Sequence, residues 1–309
     1  MMSFAFFFPG QGSQSVGMMQ GFDGQSLVRD TFTEASDLLG QDFWHMVTAP
    51  NEALNQTTNT QPLMLTAAVA IWRVWQAEGG ALPALMAGHS LGEYSALVAS
   101  GALSFAAALP LVRFRADVMQ GAVAEGVGAM AAILGLEDEV VRAVCAEAAQ
   151  GQVLEAVNLN SPGQVVIAGH KAAVERGMEL AKAKGAKRAL PLPVSVPSHC
   201  ALMQPAADEL RAYLKDVPLQ AGAVPVLHNA DVQAYSDADA IKDALVRQLH
   251  SPVRWVETVQ AVHAAGIPLS AECGPGKVLA GLTKRIVADL PCHALISQQA
   301  LAEAISQLK

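Results

Sequence analysis

The five residues Gly88-His89-Ser90-Leu91-Gly92 form the pattern G-x-S-x-G, which presents a serine nucleophile on a sharp turn. The apolar run 84–87 precedes them and the helix-forming run 93–99 follows, so the serine lies between a predicted strand and a predicted helix. Free N–H groups at that helix start would favour a developing negative charge. A plain strand-to-helix turn with a serine cap fits the same five residues, so the pattern alone does not decide between them.

A serine hydroxyl is a weak nucleophile until a base takes its proton. Of the eight histidines, His199 is the best candidate, because it lies in a predicted loop between two subdomains, where clefts form. His89 adjoins the serine and should point elsewhere, so we expect it to have a packing or supporting role. No acidic residue can be assigned as a third member, and a carbonyl group could orient the imidazole instead.

Arg113 and Arg115 are unusual because they lie in an otherwise apolar predicted helix, 105–122. Being two residues apart, they point to different faces, and one of them can reach a cleft. A buried guanidinium binds a planar anion through paired hydrogen bonds. A structural ion pair explains such an arginine equally well, so both interpretations stay open here.

The predicted elements describe an α/β protein with one small insert. Strands at 3–8, 84–87, 224–228 and 268–272 alternate with helices, which predicts a mostly parallel sheet covered on both faces. Residues 126–194 instead follow the order βαββαβ, typical of a ferredoxin-like unit. We therefore predict a core of residues 1–125 and 195–309 and a small subdomain of residues 126–194. Ser90 and the polar loop around Gln11 both follow strands, where ligands bind in such sheets.

Composition excludes several classes of function. Hydrophobic residues make up 52% of the 309 residues and the formal net charge is −8, so we expect a large core and no nucleic-acid binding. The four cysteines are scattered, which predicts no disulfide, no metal site and a reducing compartment. The apolar run Phe4–Phe8 is too short for a membrane span, and Pro9 ends it. A cytoplasmic protein that does not bind membranes is expected.

Further motifs carry a family resemblance. The chain resembles the malonyl-CoA:acyl carrier protein transacylases of bacterial type II fatty acid synthesis and the wider acyltransferase family. The motifs that carry the resemblance are residues 8–14 (FPGQGSQ), 60–62 (TQP), 88–97 (GHSLGEYSAL), Arg115 with Met119-Gln120, 160–164 (NSPGQ) with Gly169, 194–205 around His199, Gln248 with Pro252 and Trp255, and 274–279 (GPGKVL). They span nearly the whole chain in family order.

The resemblance implies a fold, a reaction and residue roles. It implies a hydrolase-like core with a ferredoxin-like insert, and malonyl transfer from malonyl-CoA to the carrier protein through a malonyl-Ser90 ester. His199 would be the base, the main-chain carbonyl of Gln248 would orient it, and Arg115 would hold the malonyl carboxylate. The backbone N–H groups of Gln11 and Leu91 would form the oxyanion hole.

Partners follow from the same resemblance. The enzyme would be a monomer that uses malonyl-CoA as substrate, needs no bound cofactor and meets an acidic carrier protein through a local basic patch. Candidate contacts for the carrier or for CoA are Asn160, Lys187, Arg188, Lys277, Lys284 and Arg285. A solvated face is the alternative for each basic residue.

One position departs from many malonyl-selective relatives, because Ser198 stands where they have phenylalanine before the histidine. Selectivity therefore rests on Arg115. Three other functions remain open: a serine hydrolase or thioesterase with the same turn, the malonyltransferase subunit of a malonate decarboxylase, and a non-catalytic scaffold. The sequence does not identify the carrier docking surface or the pathway served.

Overall fold

The computed structural model describes residues 3–194 and 196–308. Its strands are β1 (Phe4–Phe8), β2 (Leu85–Gly88), β3 (Gly128–Leu134), β4 (Leu154–Ser161), β5 (Gln164–His170), β6 (Arg188–Pro191), β7 (Val226–Leu227), β8 (Leu269–Glu272) and β9 (Cys292–Ala294). Its helices are α1 (Ser26–Leu39), α2 (Phe43–Thr48), α3 (Thr57–Ala77), α4 (Gly92–Ala99), α5 (Phe105–Gly121), α6 (Asp138–Ala149), α7 (Lys171–Ala183), α8 (Gln204–Leu214), α9 (Ala238–Leu249), α10 (Trp255–Ala264), α11 (Val278–Ile286) and α12 (Gln298–Gln307).

A parallel sheet forms the centre of the larger part, with strand order β7-β2-β1-β8-β9. All five residues of β1 are buried, as expected for a strand covered on both faces. Phe8 pairs with Gly88, so β1 and β2 end side by side. The loops that follow these two strands, which carry Gln11 and Ser90, therefore start at the same sheet edge.

The smaller sheet is antiparallel, with strand order β4-β5-β3-β6. Helices α6 and α7 lie in the connections β3–β4 and β5–β6, which is the predicted βαββαβ order. This sheet has its own apolar core, which includes Ile133, Val144 and Ile167. The predicted fold class, a mostly parallel α/β core with a ferredoxin-like insert, is thus confirmed. The proposed domain limits remain a prediction, and residues 1, 2, 195 and 309 lie outside the described residues.

Backbone hydrogen bonds join the small sheet to a loop of the core. Val253 donates to the carbonyl of Val157 (2.8 Å) and accepts from the N–H of Leu159 (3.1 Å). Both partners lie on β4, while Val253 lies two residues before the start of α10 in the core. The small sheet is therefore fixed to the core beside the strand ends where the site forms.

Several element limits differ from the sequence prediction. The sequence predicts a helix over 61–78 with Pro62 near its start, but α3 begins at Thr57 and Pro62 lies inside it. The sequence also predicts a strand over 153–158 and a turn at 160–163, but β4 continues to Ser161, which pairs with Gln164, so that Pro162 and Gly163 form the turn. The short helix α2, strand β9 and helix α12 were not predicted.

Within residues 3–194 and 196–308, no helix has both the length and the apolar character needed to cross a bilayer. The same residues contain no group of three or more His, Cys, Asp or Glu side chains placed to hold a metal ion.

Candidate active site

Ser90 occupies a strained turn between β2 and α4. Its φ is 51°, in the left-handed region that non-glycine residues rarely adopt. The flanking glycines make this turn feasible: a Cβ on Gly88 would lie 1.9 Å from the carbonyl carbon of Gly92, and one on Gly92 would lie 1.9 Å from the Phe8 oxygen. A side chain at Gly88 would collide with the start of α4, and one at Gly92 would collide with the end of β1. The sequence therefore specifies an elbow that exposes the serine hydroxyl above the sheet.

His199 meets this hydroxyl across the cleft. Its Nε2 lies 2.8 Å from Ser90 Oγ, and its Nδ1 lies 2.8 Å from the main-chain oxygen of Gln248. A carbonyl oxygen can only accept, so Nδ1 carries the ring proton and Nε2 is the acceptor for the serine O–H. The orienting group is therefore a backbone carbonyl at the end of α9, which agrees with the failure to find an acidic third member in the sequence.

The environment keeps His199 neutral. Burial is the largest cause that lowers the pKa of the imidazole, to about 3, and the positive charge of Arg115 lowers it further, while the hydrogen bond to Gln248 opposes both. Its φ of 66° is also in the left-handed region. A neutral imidazole with a free Nε2 lone pair is the state in which histidine accepts a proton.

Arg115 is buried, with 1% of its surface exposed, and its side chain reaches the serine. Nη2 donates to Ser90 Oγ (3.2 Å) and to Gln248 Oε1 (2.9 Å), and Nη1 donates to Gln61 Oε1 (2.7 Å). Among the described residues, no carboxylate forms an ion pair with it, and its Nε has no hydrogen-bond partner. Burial lowers the pKa of this guanidinium, but arginine remains charged in proteins. The ion-pair explanation therefore does not hold for Arg115.

Arg113 points away from this site. Its Nη2 donates to Gln41 Oε1 (2.5 Å) and Asn59 Oδ1 (3.3 Å), which lie toward α1 and α3. The two arginines thus face different partners, as their spacing predicted.

Two backbone N–H groups lie beside the serine. Among the described residues, neither the N–H of Leu91 nor that of Gln11 has a hydrogen-bond partner. A Cβ on Gly10 would lie 2.5 Å from His89 O and 3.7 Å from Leu91 N, so only glycine lets the Gln11 loop approach the elbow this closely. Both residues line the same cleft, as the predicted oxyanion hole requires.

The cleft has a volume of about 550 Å³ and lies between the two sheets. The core contributes Gln11, Ser90, Leu91, Arg115 and His199, and the small sheet contributes Met130 and Asn158. Ser198 also lines it.

The remaining predicted contacts lie elsewhere. Asn160 is buried, and its Oδ1 lies 2.8 Å from His89 Nε2, so it supports the elbow from β4 rather than lining the cleft. Five basic residues are exposed and do not line the cleft either, namely Lys187, Arg188, Lys277, Lys284 and Arg285. The structure therefore places Asn160 against the elbow beside Ser90 and does not place the five basic residues in the cleft.

Three site contacts escaped the sequence analysis. The side chain of Gln61 holds Arg115, and its place in the motif Thr60-Gln61-Pro62 was the only available signal. The side chain of Gln248 bridges Arg115 and the main-chain oxygen of Ser90 (Nε2 to O, 3.0 Å), whereas only its carbonyl was predicted. Asn229 bonds the elbow itself, and nothing in the local sequence marks it.

A strained serine, a neutral histidine and two N–H groups beside one cleft, on an α/β sheet, are the parts of a serine-dependent acyl-transfer site. Comparison with known proteins agrees. The acyl transferase domain family matches residues 5–302. The chain is 57% identical over 307 residues to the malonyl CoA-acyl carrier protein transacylase of Escherichia coli K12, covering 99% of each. It is 42% identical over 312 residues to that of Bacillus subtilis, covering 100% of this chain and 98% of that protein.

Solved structures give the same result. The acyl-carrier-protein S-malonyltransferase of Burkholderia pseudomallei is 59% identical with a TM-score of 0.97, covering 99% of this chain and 100% of that one. A malonyl-transacylase in complex with a type II PKS acyl-carrier protein is 54% identical with a TM-score of 0.97, covering 99% of each chain. The chain belongs to the acyl transferase family and, within it, to the malonyl CoA-acyl carrier protein transacylases.

Proposed function

We propose that this protein transfers a malonyl group from malonyl-CoA to the phosphopantetheine thiol of an acyl carrier protein, through an ester on Ser90. The observation that carries the proposal is the buried, unpaired Arg115 guanidinium 3.2 Å from Ser90 Oγ. A guanidinium has five N–H donors, and three hydrogen bonds within the protein leave donors for a carboxylate. An acyl group that ends in a carboxylate satisfies this charge.

Acylation follows from the geometry. His199 Nε2 takes the proton as Ser90 Oγ attacks the thioester carbon, and the new oxyanion accepts hydrogen bonds from Leu91 and Gln11. One such donor contributes about 3 kcal/mol to the transition state. The C–S bond then breaks, and the sulfur leaves as CoA thiol with the proton from His199. The malonyl-Ser90 ester remains, its carboxylate held by Arg115.

Transfer to the carrier reverses these steps. His199 takes the proton of the carrier thiol, the thiolate attacks the ester carbon, and Ser90 Oγ leaves with that proton. The same site serves both halves, so ping-pong kinetics are expected. No bound cofactor takes part, since every proton and bond in the scheme is accounted for by the two substrates, Ser90 and His199.

The proposal also covers the cellular location, the oligomeric state, the pathway and the surface that meets the carrier protein. We expect a cytoplasmic monomer that supplies fatty acid synthesis, and a carrier protein that approaches through exposed basic residues, either Lys187 and Arg188 or Lys277, Lys284 and Arg285. The relatives named above support the carrier as acceptor.

The test is an intact-mass measurement after incubation with malonyl-CoA. We compare wild type, Ser90→Ala and the control Ser306→Ala, an exposed serine on α12. The wild type and the control should gain one malonyl group, and Ser90→Ala should gain none. Adding a carrier protein of fatty acid synthesis in its phosphopantetheine form should discharge the adduct and yield malonyl-carrier.

Other outcomes identify the alternatives. Rapid loss of the adduct as free malonate, without a carrier, would indicate a hydrolase. Discharge only by the carrier of a malonate decarboxylase would indicate that enzyme's malonyltransferase subunit. Absence of any adduct, or an equal adduct on Ser90→Ala, contradicts the proposal.

A further inference from the structure

The main chain of the elbow is held by the side chain of Asn229, which lies 139 residues after Ser90 in the sequence. Asn229 Oδ1 accepts the N–H of Ser90 (2.7 Å), and Asn229 Nδ2 donates to the carbonyl of Gly88 (2.7 Å). One side-chain amide thus bridges the last residue of β2 and the strained serine. Asn229 is 1% exposed and lies just after β7, the strand next to β2.

Asn229 is itself fixed by a buried carboxylate. Its main-chain N–H donates to Glu93 Oε2 (2.8 Å), and Glu93 Oε1 lies 2.7 Å from His228 Nδ1. Glu93 is fully buried in the first turn of α4, the helix that Ser90 introduces. The carboxylate therefore connects the end of β7 to the start of this helix, and neither Glu93 nor His228 lines the cleft.

A second amide holds the other side of the serine. Gln248 Nε2 donates to the main-chain oxygen of Ser90 (3.0 Å). In a trans peptide the C=O and the following N–H point in opposite directions, so a bond on Ser90 O directs the N–H of Leu91 away from Gln248. With Asn229 on the N–H and Gln248 on the C=O of Ser90, both polar main-chain groups of the serine are fixed.

We propose that Asn229 is a positioning residue for acyl transfer, which holds Ser90 in its left-handed conformation and thereby aims its hydroxyl at His199 and the Leu91 N–H at the oxyanion. This inference rests on the proposed function. An unrestrained serine would relax toward negative φ, because the left-handed conformation is strained for a residue other than glycine. Such relaxation rotates Oγ and the following peptide together, so both the nucleophile and one oxyanion donor lose alignment.

Asn229 does not contact the side chain proposed to hold the substrate carboxylate. Arg115 donates its hydrogen bonds to Gln61, Gln248 and Ser90 Oγ, and none to Asn229, Glu93 or His228. Loss of Asn229 should therefore slow the chemical step and leave ground-state binding of the malonyl group unchanged. A merely structural role would impair both together.

The experiment compares Asn229→Ala with wild type and with Asn51→Ala. Asn51 also bonds main-chain groups with its side chain, at Met46, Ala49 and Leu54, but does not line the cleft. The rate of CoA release in a single turnover with malonyl-CoA should fall about 100-fold in Asn229→Ala, as for a misaligned nucleophile or a lost oxyanion donor. The dissociation constant of a non-cleavable malonyl-CoA analogue, with CH₂ in place of the sulfur, should change less than about threefold.

Glu93→Gln provides a second variant if Asn229→Ala does not fold. It keeps one oxygen for the Asn229 N–H and removes the buried charge, so we expect a smaller loss of rate, about 10-fold, again with unchanged analogue binding. An unchanged rate in both variants, or a parallel loss of rate and analogue binding in those that fold, overturns the role of Asn229. Failure of the wild type to release CoA would instead overturn the proposed function.

Discussion

Arg115 and His199 are a cation and a base that share one serine oxygen. Ser90 Oγ accepts a hydrogen bond from Arg115 Nη2 (3.2 Å) and donates one to His199 Nε2 (2.8 Å). Placing a buried positive charge so near an imidazole opposes its protonation. The residue that we propose to bind the substrate carboxylate thus also keeps the base in its proton-accepting form, before any substrate arrives.

The pH dependence of acylation follows from this arrangement. The pKa of His199 is lowered from 6.5 to about 3, so the free enzyme keeps a neutral base across the physiological range. The kcat/KM for CoA release from malonyl-CoA should therefore show no fall near pH 6.5 when measured between about pH 5 and 8. In Arg115→Gln one cause of the lowered pKa is removed, so the fall should move upward, toward 6.5. A wild-type profile with its midpoint near 6.5 contradicts a buried neutral His199.

The residue types revealed part of the site in advance. Ser90, His199 and Arg115 stand out because their chemistry is unusual for their local surroundings. Local sequence does not reveal their contacts. The Gln248 carbonyl, 49 residues from His199, was implied only by the family resemblance, and Asn229, 139 residues from Ser90, was not predicted. Asparagine and glutamine are common polar residues, and only the folded chain shows which of them hold main-chain groups.

At the scale of elements, the elbow depends on close approach between β1, β2 and α4. Gly88→Ala places a Cβ 1.9 Å from the Gly92 carbonyl carbon, and backbone atoms cannot yield as a flexible side chain does. We expect a loss of about 3 kcal/mol or more in the free energy of unfolding, measured by chemical denaturation.

Gly281→Ala is the matched control for this substitution. Gly281 lies within α11, and no atom lies within 4 Å of the position that its Cβ would take. This variant should gain about 0.5–1 kcal/mol, because alanine favours a helix interior more than glycine. If Gly88→Ala were as stable as Gly281→Ala, this result would contradict the conclusion that the elbow has no room for a side chain at Gly88.

Element limits were predictable where local signals set them. Helix α5 begins after Ser104, whose Oγ accepts the N–H of Ala107 (3.2 Å), and this cap was visible in the sequence. The first turn of α3, 57–60, was not predicted as helix because it is polar and its residues have low helix propensity. Side-chain bonds from Asn59 to Ala53 O (3.1 Å) and from Thr60 to Leu54 O (2.7 Å) stabilise that turn. The spacing of apolar residues in the sequence does not reveal such side-chain to main-chain contacts.

At the scale of the whole molecule, two buried titratable groups make stability depend on pH in opposite directions. His199 has a folded pKa of about 3 against 6.5 when unfolded, so the unfolded chain binds the proton and stability rises with pH across that interval. Glu272 is fully buried at the end of β8, and burial raises its pKa from 4.5 to about 7. Here the folded state holds the proton, so stability falls as pH rises through that interval.

Replacing Glu272 by glutamine should separate the two effects. The side-chain oxygen can still accept the N–H of Ala280 (2.8 Å in the wild type), while the ionisation is removed. A shift from 4.5 to about 7 corresponds to about 3 kcal/mol, so the stability of Glu272→Gln relative to wild type should increase by about that amount between about pH 4 and 8. Denaturation curves of both proteins across this range measure the difference. A difference that stays constant with pH would show that Glu272 has its ordinary pKa in the folded protein. The opposing effects of Glu272 and His199 on the pH dependence of stability would then be ruled out.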